Sequence, residues 1–275
     1  MYRFQKPFCL GGCFLIMNNL RNRSEIERML GGMVSVEEHY DNLLAAYYSW
    51  ISGGFDSKIK EHRAFFRNHG IRPSDSGVAV DLGAGSGFQS IPLAEAGFKV
   101  IALDTNRQLL TKLKEKAKKL SVVTIRDSML NFSRHSPPEI EVAVCMGDTL
   151  THLQNLEQVQ QLLEKTYTVL AQNGTLILSF RDLTHELSGL DRFIPVRSDA
   201  RRIFTCFLEY EPQHVVVHDI VYEKKNDQWK MKKSAFRKLR ISPQWVNDTL
   251  EIIGYNVATF DSHLGIVTII ARKPT

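Results

Sequence analysis

The sequence predicts an α/β fold: a doubly wound sheet of seven strands, preceded by a helical cap and interrupted by an antiparallel β insert. Three observations predict it. From Val78 onward short apolar runs alternate with longer amphipathic ones, the pattern of a sheet covered by helices on both faces. The first of those runs ends in Asp81-Leu82-Gly83-Ala84-Gly85-Ser86-Gly87 and opens a helix. After Phe180 the alternation stops, and three extended runs follow, separated by polar turns.

Taken in order, residues 1–32 read as an N-terminal extension. Residues 8–17 are apolar apart from their glycines and follow Arg3 and Lys6, as in a signal peptide, yet no A-x-A-like cleavage site comes after them. About ten residues are also too few to span a bilayer. Ser24 with Glu27 makes a capping-box pattern for a short helix to Leu30, stopped by Gly31 and Gly32. Met17 and Met33 are alternative starts.

Residues 33–275 form the main domain. Its aromatic-rich segment 36–70 predicts two helices broken near Gly53 and Gly54, a cap. Residues 77–180 hold strands at 78–82, 99–104, 122–126, 142–146 and 175–180, with helices at 87–96, 106–120 and 155–171 between them. Gly97 and Gly174 are placed to end two of those helices. Residues 181–240 carry extended runs at 203–208, 215–222 and 229–239, a lid-like insert. In residues 241–275, Ser242 as N-cap and Pro243 at the first helical position open a last helix. Gly254 ends it, and strands at 257–260 and 266–271 bring the sheet to seven.

Composition bounds the function. A chain of 275 residues, 43% hydrophobic, fills a sizeable core. The net charge of +5 permits an anionic partner, but the basic residues are spread along the chain. Lys112, Lys114, Lys116, Lys118 and Lys119 share an amphipathic helix with Leu109, Leu110 and Leu113 and read as a solvated face. Cys9, Cys13, Cys145 and Cys206 form no CxxC pair and no zinc-spaced Cys/His cluster. A reducing cytoplasm, no metal and no membrane are therefore expected, with Cys145 a small core residue inside its strand.

The glycine-rich turn carries the chemistry. Glycines after a strand let the backbone approach a ligand closely, and the helix that follows offers free N–H groups to an anion. In a dinucleotide fingerprint the third glycine would fall where Phe88 stands; Gly87 comes one residue early. Asp104, at the end of the next strand, is spaced to accept hydrogen bonds from two ribose hydroxyls. Dinucleotides and S-adenosylmethionine share that requirement. Asp81 separates them, because a carboxylate there repels a pyrophosphate and suits the ammonium of a methionine moiety.

With these positions and Asp127-Ser128 after the third strand, residues 36–273 resemble the class I S-adenosylmethionine-dependent methyltransferase superfamily. The resemblance implies a Rossmann-like sheet whose last strand is reversed. It implies that Asp81, Gly83, Ala84, Gly85 and Gly87 hold the methionine moiety, Asp104 with Thr105 the ribose, and Asp127 and Ser128 the adenine amino group. The cofactor would be S-adenosyl-L-methionine, the product S-adenosyl-L-homocysteine. The run from Met146 to Leu153 is similar to a segment of glycine N-methyltransferase-like small-molecule methyltransferases that passes under the sulfonium. That makes Met146 and Asp148 cofactor neighbours and His152 a pocket residue, although His152 also stands where it could precede the helix near Asn155. Tyr40 and Trp50 look like that group's cap over the cofactor, and aromatics at helical spacing are equally readable as core.

Arg181, Arg192, Arg197, Arg201 and Arg202 fall just after the fifth strand, where α/β folds place ligands. Arg181 and Arg197 would there suit an anionic acceptor. Asp148 and His152 are the candidates to take a proton from an acceptor, and the sequence assigns neither. The expected function is in-line methyl transfer to a small molecule. A nucleic-acid methyltransferase is the lesser reading, since no Asn-Pro-Pro-Tyr-like motif follows the fourth strand and no catalytic cysteine pair is evident. A cofactor-binding regulatory module is the third.

Overall fold

The computed structural model describes residues 32–263 and 265–275. The apolar run 8–17, the Ser24–Glu27 pattern, Cys9 and Cys13 lie outside the described residues.

Ser35 accepts from the Glu38 N–H and Glu38 answers to the Ser35 N–H, a capping box that starts α1 (Val36–His39). A π-turn (Tyr40–Leu44) and α2 (Ala45–Ile51) continue the same rod, and after Gly53 and Gly54 comes α3 (Phe55–Asn68). The core then alternates: β1 (Val78–Leu82), α4 (Ser90–Glu95), β2 (Lys99–Asp104), α5 (Arg107–Lys116), β3 (Val122–Arg126), β4 (Ile140–Cys145), α6 (Leu156–Val169) and β5 (Leu170–Arg181). After the insert, α7 (Pro243–Ile253) has Ser242 as its N-cap and left-handed Gly254 at its end, and leads to β10 (Asn256–His263) and β11 (Ile266–Arg272).

The seven strands lie in the order β10-β11-β5-β4-β1-β2-β3. β1 to β5 pair parallel, and β11 pairs antiparallel with β5, so the last strand is reversed. One apolar layer, including Leu82, Leu163 and Leu250, packs under α6 and α7; the other, including Phe66, Phe98 and Leu113, packs under α3 and α5. Cys145 is fully buried in the first. One sequence expectation is corrected. α6 stops at Val169 and β5 begins at Leu170, so Gly174 ends no helix. It is glycine because a Cβ there would sit 2.8 Å from the Ala171 carbonyl oxygen.

The insert is a four-stranded antiparallel sheet: β6 (Phe193–Ser198), β7 (Arg202–Tyr210), β8 (His214–Lys225) and β9 (Gln228–Leu239). β6 goes beyond the three runs legible in sequence, because Pro195 and a register shift before Arg197 break its alternation. The inner face of this sheet lies on α1 and α2. His39, fully buried, meets Asp219 through Nε2 at 2.8 Å and Ser234 through Nδ1 at 2.9 Å, and stacks on Phe236. Leu43 and Tyr47 pack against Phe204 and Val221. Among the described residues no helix is long and apolar enough to cross a membrane.

Candidate active site

A cavity of about 590 Å³ opens at the carboxyl ends of β1 and β2 and is roofed by α1, the π-turn and α2. Gly83, Gly85, Asp104, Thr105, Asp127 and Ser128 line it, with Tyr40, Tyr48, Thr149 and His152. The turn after β1 folds tightly: the N–H groups of Gly83 and Ala84 both donate to the Leu103 carbonyl. Gly83, Gly85 and Gly87 have φ of +80°, +52° and +93°, where any side chain is strained. A Cβ on Gly85 would stand 3.3 Å from the Tyr48 ring, and one on Gly83 would overlap Thr149. Gly83→Ala is therefore expected to cost about 2 kcal/mol or more, from the left-handed backbone and the displaced Thr149 together. A thermal melt should show a loss of several degrees.

Asp104 forms the floor. Its Oδ2 accepts from the Gly85 N–H at 2.8 Å and its Oδ1 from the Asn106 N–H at 2.7 Å, so the carboxylate is clamped between turn and helix. Burial raises its pKa above the ordinary value, opposed by the hydrogen bonds from Asn106, Gly85 and Thr105. Each oxygen keeps a lone pair for a ligand hydroxyl. Asp127 takes a different form. His135, Asn131 and the Ser128 N–H all donate to it, and these, His135 foremost, hold its carboxyl down to about 2.

The roof is tied to the core at three points. Asn106 Nδ2 donates to Asp41 Oδ1 at 2.7 Å, Arg126 to Glu37 Oε1 at 2.7 Å, and Lys112 Nζ to the Ala45 carbonyl at 2.9 Å. Lys112 thus departs from the solvated face expected of its helix. These ties hold Tyr40 and Tyr48, whose ring centroids are 6.1 Å apart, over the glycine turn. The Tyr40 ring in turn meets His152 edge-on at 5.7 Å. Burial raises the pKa of both phenols, which stay neutral. Burial, aided by the nearby Lys238 charge, brings His152 down to about 3, so its imidazole is neutral at pH 7.

Other expected site residues lie elsewhere. Asp81 is 1% exposed, under the turn rather than in the cavity wall, and accepts from Ser90 Oγ at 2.5 Å. Burial pushes its carboxyl up to about 7. A carboxyl raised on folding binds a proton that the unfolded chain has lost, so stability falls as pH rises from about 4 to 7. Asp81→Asn is expected to raise the melting temperature by a few degrees at pH 8 and to change it little at pH 4, as melts at both pH values would show. Ala84 and Met146 are buried beneath the cavity. Trp50 faces the insert, with the Arg202 guanidinium 4.4 Å and that of Arg197 5.8 Å from its ring centre; neither Trp50 nor Arg197 lines the cavity. The Arg181 side chain is exposed, and its N–H donates to Asp148 Oδ1 at 3.0 Å.

Asp148 itself, in the left-handed region at φ 75°, pairs with Lys238 from β9 and accepts from Thr151 Oγ1. Burial would raise its carboxyl, but the Lys238 ammonium more than offsets this and holds it below the usual range. A carboxylate so occupied is a poor proton acceptor, which counts against Asp148 as a base. Lys238 and Tyr48 escape a motif reading. The first is one of several lysines along β9 and the second one of a pair with Tyr47. Among the described residues no group of three His, Cys, Asp or Glu side chains could hold a metal.

A glycine cradle that a Cβ would fill, an acidic floor with open lone pairs and a neutral aromatic roof together fit an adenosyl sulfonium. The Ser86 hydroxyl, buried in the same turn, has no partner among the described residues. The fold and this cavity resemble those of class I S-adenosylmethionine-dependent methyltransferases. A family model described as a methyltransferase domain matches residues 79–174, strand β1 through the start of β5. The chain resembles the glycine/sarcosine N-methyltransferase of Aphanothece halophytica, 33% identical over 105 residues, which is 38% of this chain and 40% of that enzyme. Such curated relatives are matched over less than two thirds of their own length. Two solved structures share the fold. A S-adenosylmethionine-dependent methyltransferase from Clostridium acetobutylicum is 12% identical with a TM-score of 0.65, over 86% of this chain and 97% of that one. The sugar N-methyltransferase KedS8 of a Streptoalloteichus species is 11% identical with a TM-score of 0.66, over 88% and 95%.

Proposed function

We propose that the chain methylates the nitrogen of a small-molecule amine, in line, with S-adenosylmethionine as donor. The observation that carries this reading is the meeting, in one cavity, of the glycine cradle, Asp104 and the Tyr40–Tyr48–His152 rings. When bound, the cofactor supplies an electrophilic methyl carbon on a sulfonium. Gly83 and Gly85 leave room for its amino-acid end, Asp104 would take the ribose hydroxyls, and Asp127 with Ser128 the adenine edge. Tyr40 and Tyr48 present neutral π-systems to a cation, which attract it without competing for a counter-charge. The protein's work is then alignment and exclusion of water.

The amine must arrive with its lone pair free. Among the described residues no hydrogen bond reaches the His152 ring, which leaves a neutral nitrogen to accept from an acceptor N–H. At a pKa near 3 it orients the amine rather than stripping its proton, so release of that proton to water after transfer fits better than general-base catalysis. The similarity to glycine/sarcosine and sugar N-methyltransferases supports nitrogen as the acceptor and a small molecule as its bearer. The test is S-adenosylhomocysteine formation in the presence of glycine, sarcosine or an amino sugar. Turnover with any of them, reduced at least tenfold in His152→Ala, is expected. Its absence with every small amine, alongside turnover on RNA or peptide, would overturn the acceptor class.

A further inference from the structure

The inner face of the β6–β9 sheet is apolar in two rows and polar in the row between them. Leu208, Val217 and Phe236 stand in register across β7, β8 and β9, and Phe204 with Val221 across β7 and β8. Between them the register aligns Cys206, Asp219 and Ser234. Asp219 is 3% exposed. A carboxylate taken out of water is costly unless well-placed partners meet it. Cys206 Sγ donates to its Oδ1 at 2.9 Å, and the fully buried His39 meets its Oδ2 at 2.8 Å through Nε2. The other ring nitrogen of His39 meets Ser234 Oγ at 2.9 Å. Three strands thus converge on one residue of α1. That helix is a single turn, too short to hold its own direction. An offset along the sheet would strand the carboxylate, so the polar row fixes where α1 sits.

Tyr40 follows His39 directly. On its flank His39 stacks on Phe236, with centroids 4.0 Å and planes 23° apart, and Phe236 meets the His152 ring edge-on at 5.9 Å. His152 therefore lies between two rings, Tyr40 and Phe236, that both depend on His39. With no hydrogen bond to the His152 ring among the described residues, these contacts set its orientation. We infer that His39 is a positioning residue for the acceptor, holding Tyr40 and Phe236 so that His152 between them presents a free nitrogen to the amine. This rests on the reading of His152 as the group that orients the amine. Neither His39 nor Ser234 lines the cavity, so His39 acts through its neighbours rather than on the substrate.

Isotope labelling at histidine Cε1 lets NMR read the His152 ring in the full chain, its signal identified by its loss in His152→Ala. His39→Leu with Asp219→Leu replaces the buried pair by apolar groups, an exchange that often leaves stability unharmed. The melting temperature and S-adenosylhomocysteine binding by calorimetry should stay near native, while the His152 signal moves toward that of an exposed histidine. His39→Gln keeps an N–H for Asp219 but has no ring for Phe236, and should move the signal as well. With any small amine that is turned over, kcat/KM for the amine should fall at least tenfold in both variants, and KM for S-adenosylmethionine should not change. Either variant, folded and with the His152 signal at its native position, overturns the proposal and leaves the pair as packing alone. A signal that moves with kcat/KM unchanged overturns it too. Absence of turnover with every small amine counts against the acceptor class instead, because the NMR signal is read without an acceptor.

Discussion

Lys238→Met is expected to destabilise the folded chain by about 3–5 kcal/mol, the usual consequence of removing one partner from a buried ion pair. Lys238 and Asp148 have side chains only 16% and 14% exposed. Methionine fills much of the lysine stem, so the loss reports the stranded carboxylate rather than a hole. The pair also bridges two sheets, since Lys238 belongs to β9 of the insert and Asp148 to the loop after β4. Its loss should loosen the insert from the core at the edge of the cavity. The pH dependence gives the mechanism away. In the native chain Asp148 titrates below its unfolded value, so its contribution is present above the ordinary carboxylate range and is lost as pH falls through the folded pKa. In the variant, burial acts without the ammonium and raises the same carboxyl, so the variant's deficit should begin to shrink above the ordinary carboxylate range and go on shrinking as pH falls through it. Denaturant melts at pH 7 and pH 3.5 check this, and Asp148→Asn combined with Lys238→Met should recover much of the loss at pH 7.

Asp104→Ala is expected to weaken binding of S-adenosylhomocysteine at least a hundredfold. Two effects act together. The carboxylate that would take the ribose hydroxyls is gone, and the Gly85 and Asn106 N–H groups lose the acceptor that fixes the turn and the start of α5. Asp104→Asn keeps an acceptor oxygen and should fall between the variant and the native chain. Calorimetric titration measures all three, and an Asp104→Ala protein that binds as tightly as the native chain would remove this residue from the site.

Much of this was legible in the residues. Strands β1 to β3, the helix starts near Asn106 and Asn155, the N-cap Ser242, and the left-handed Gly97 and Gly254 are local features, set by alternation and by backbone conformations that few residues adopt. The cradle glycines and Asp104 were legible for the same reason. Asp81 was harder, because a strand-end carboxylate reads the same from sequence whether it faces a ligand or lies beneath the turn, and only Ser90, nine residues on, decides its partner.

The roof shows where local reasoning stops. In a regular α-helix, at about 100° per residue, Tyr48 and Trp50 lie about 80° to either side of Tyr40, so periodicity cannot choose between them. The π-turn from Tyr40 to Leu44 unwinds that segment to about 4.4 residues per turn. Tyr48 then shares the face of Tyr40, and Trp50 turns to the far side, where Arg202 and Arg197 meet it. The Asp148–Lys238 pair was illegible for another reason: ninety residues separate its members, and their meeting depends on how the insert docks.

The central claim is that the cavity under Tyr40 and Tyr48 is a S-adenosylmethionine site rather than a dinucleotide site. Calorimetry of the full chain with S-adenosylmethionine, S-adenosylhomocysteine and NAD tests it most directly. The structure predicts micromolar or tighter binding of the first two, lost in Asp104→Ala, and none of NAD; binding of NAD alone would contradict it.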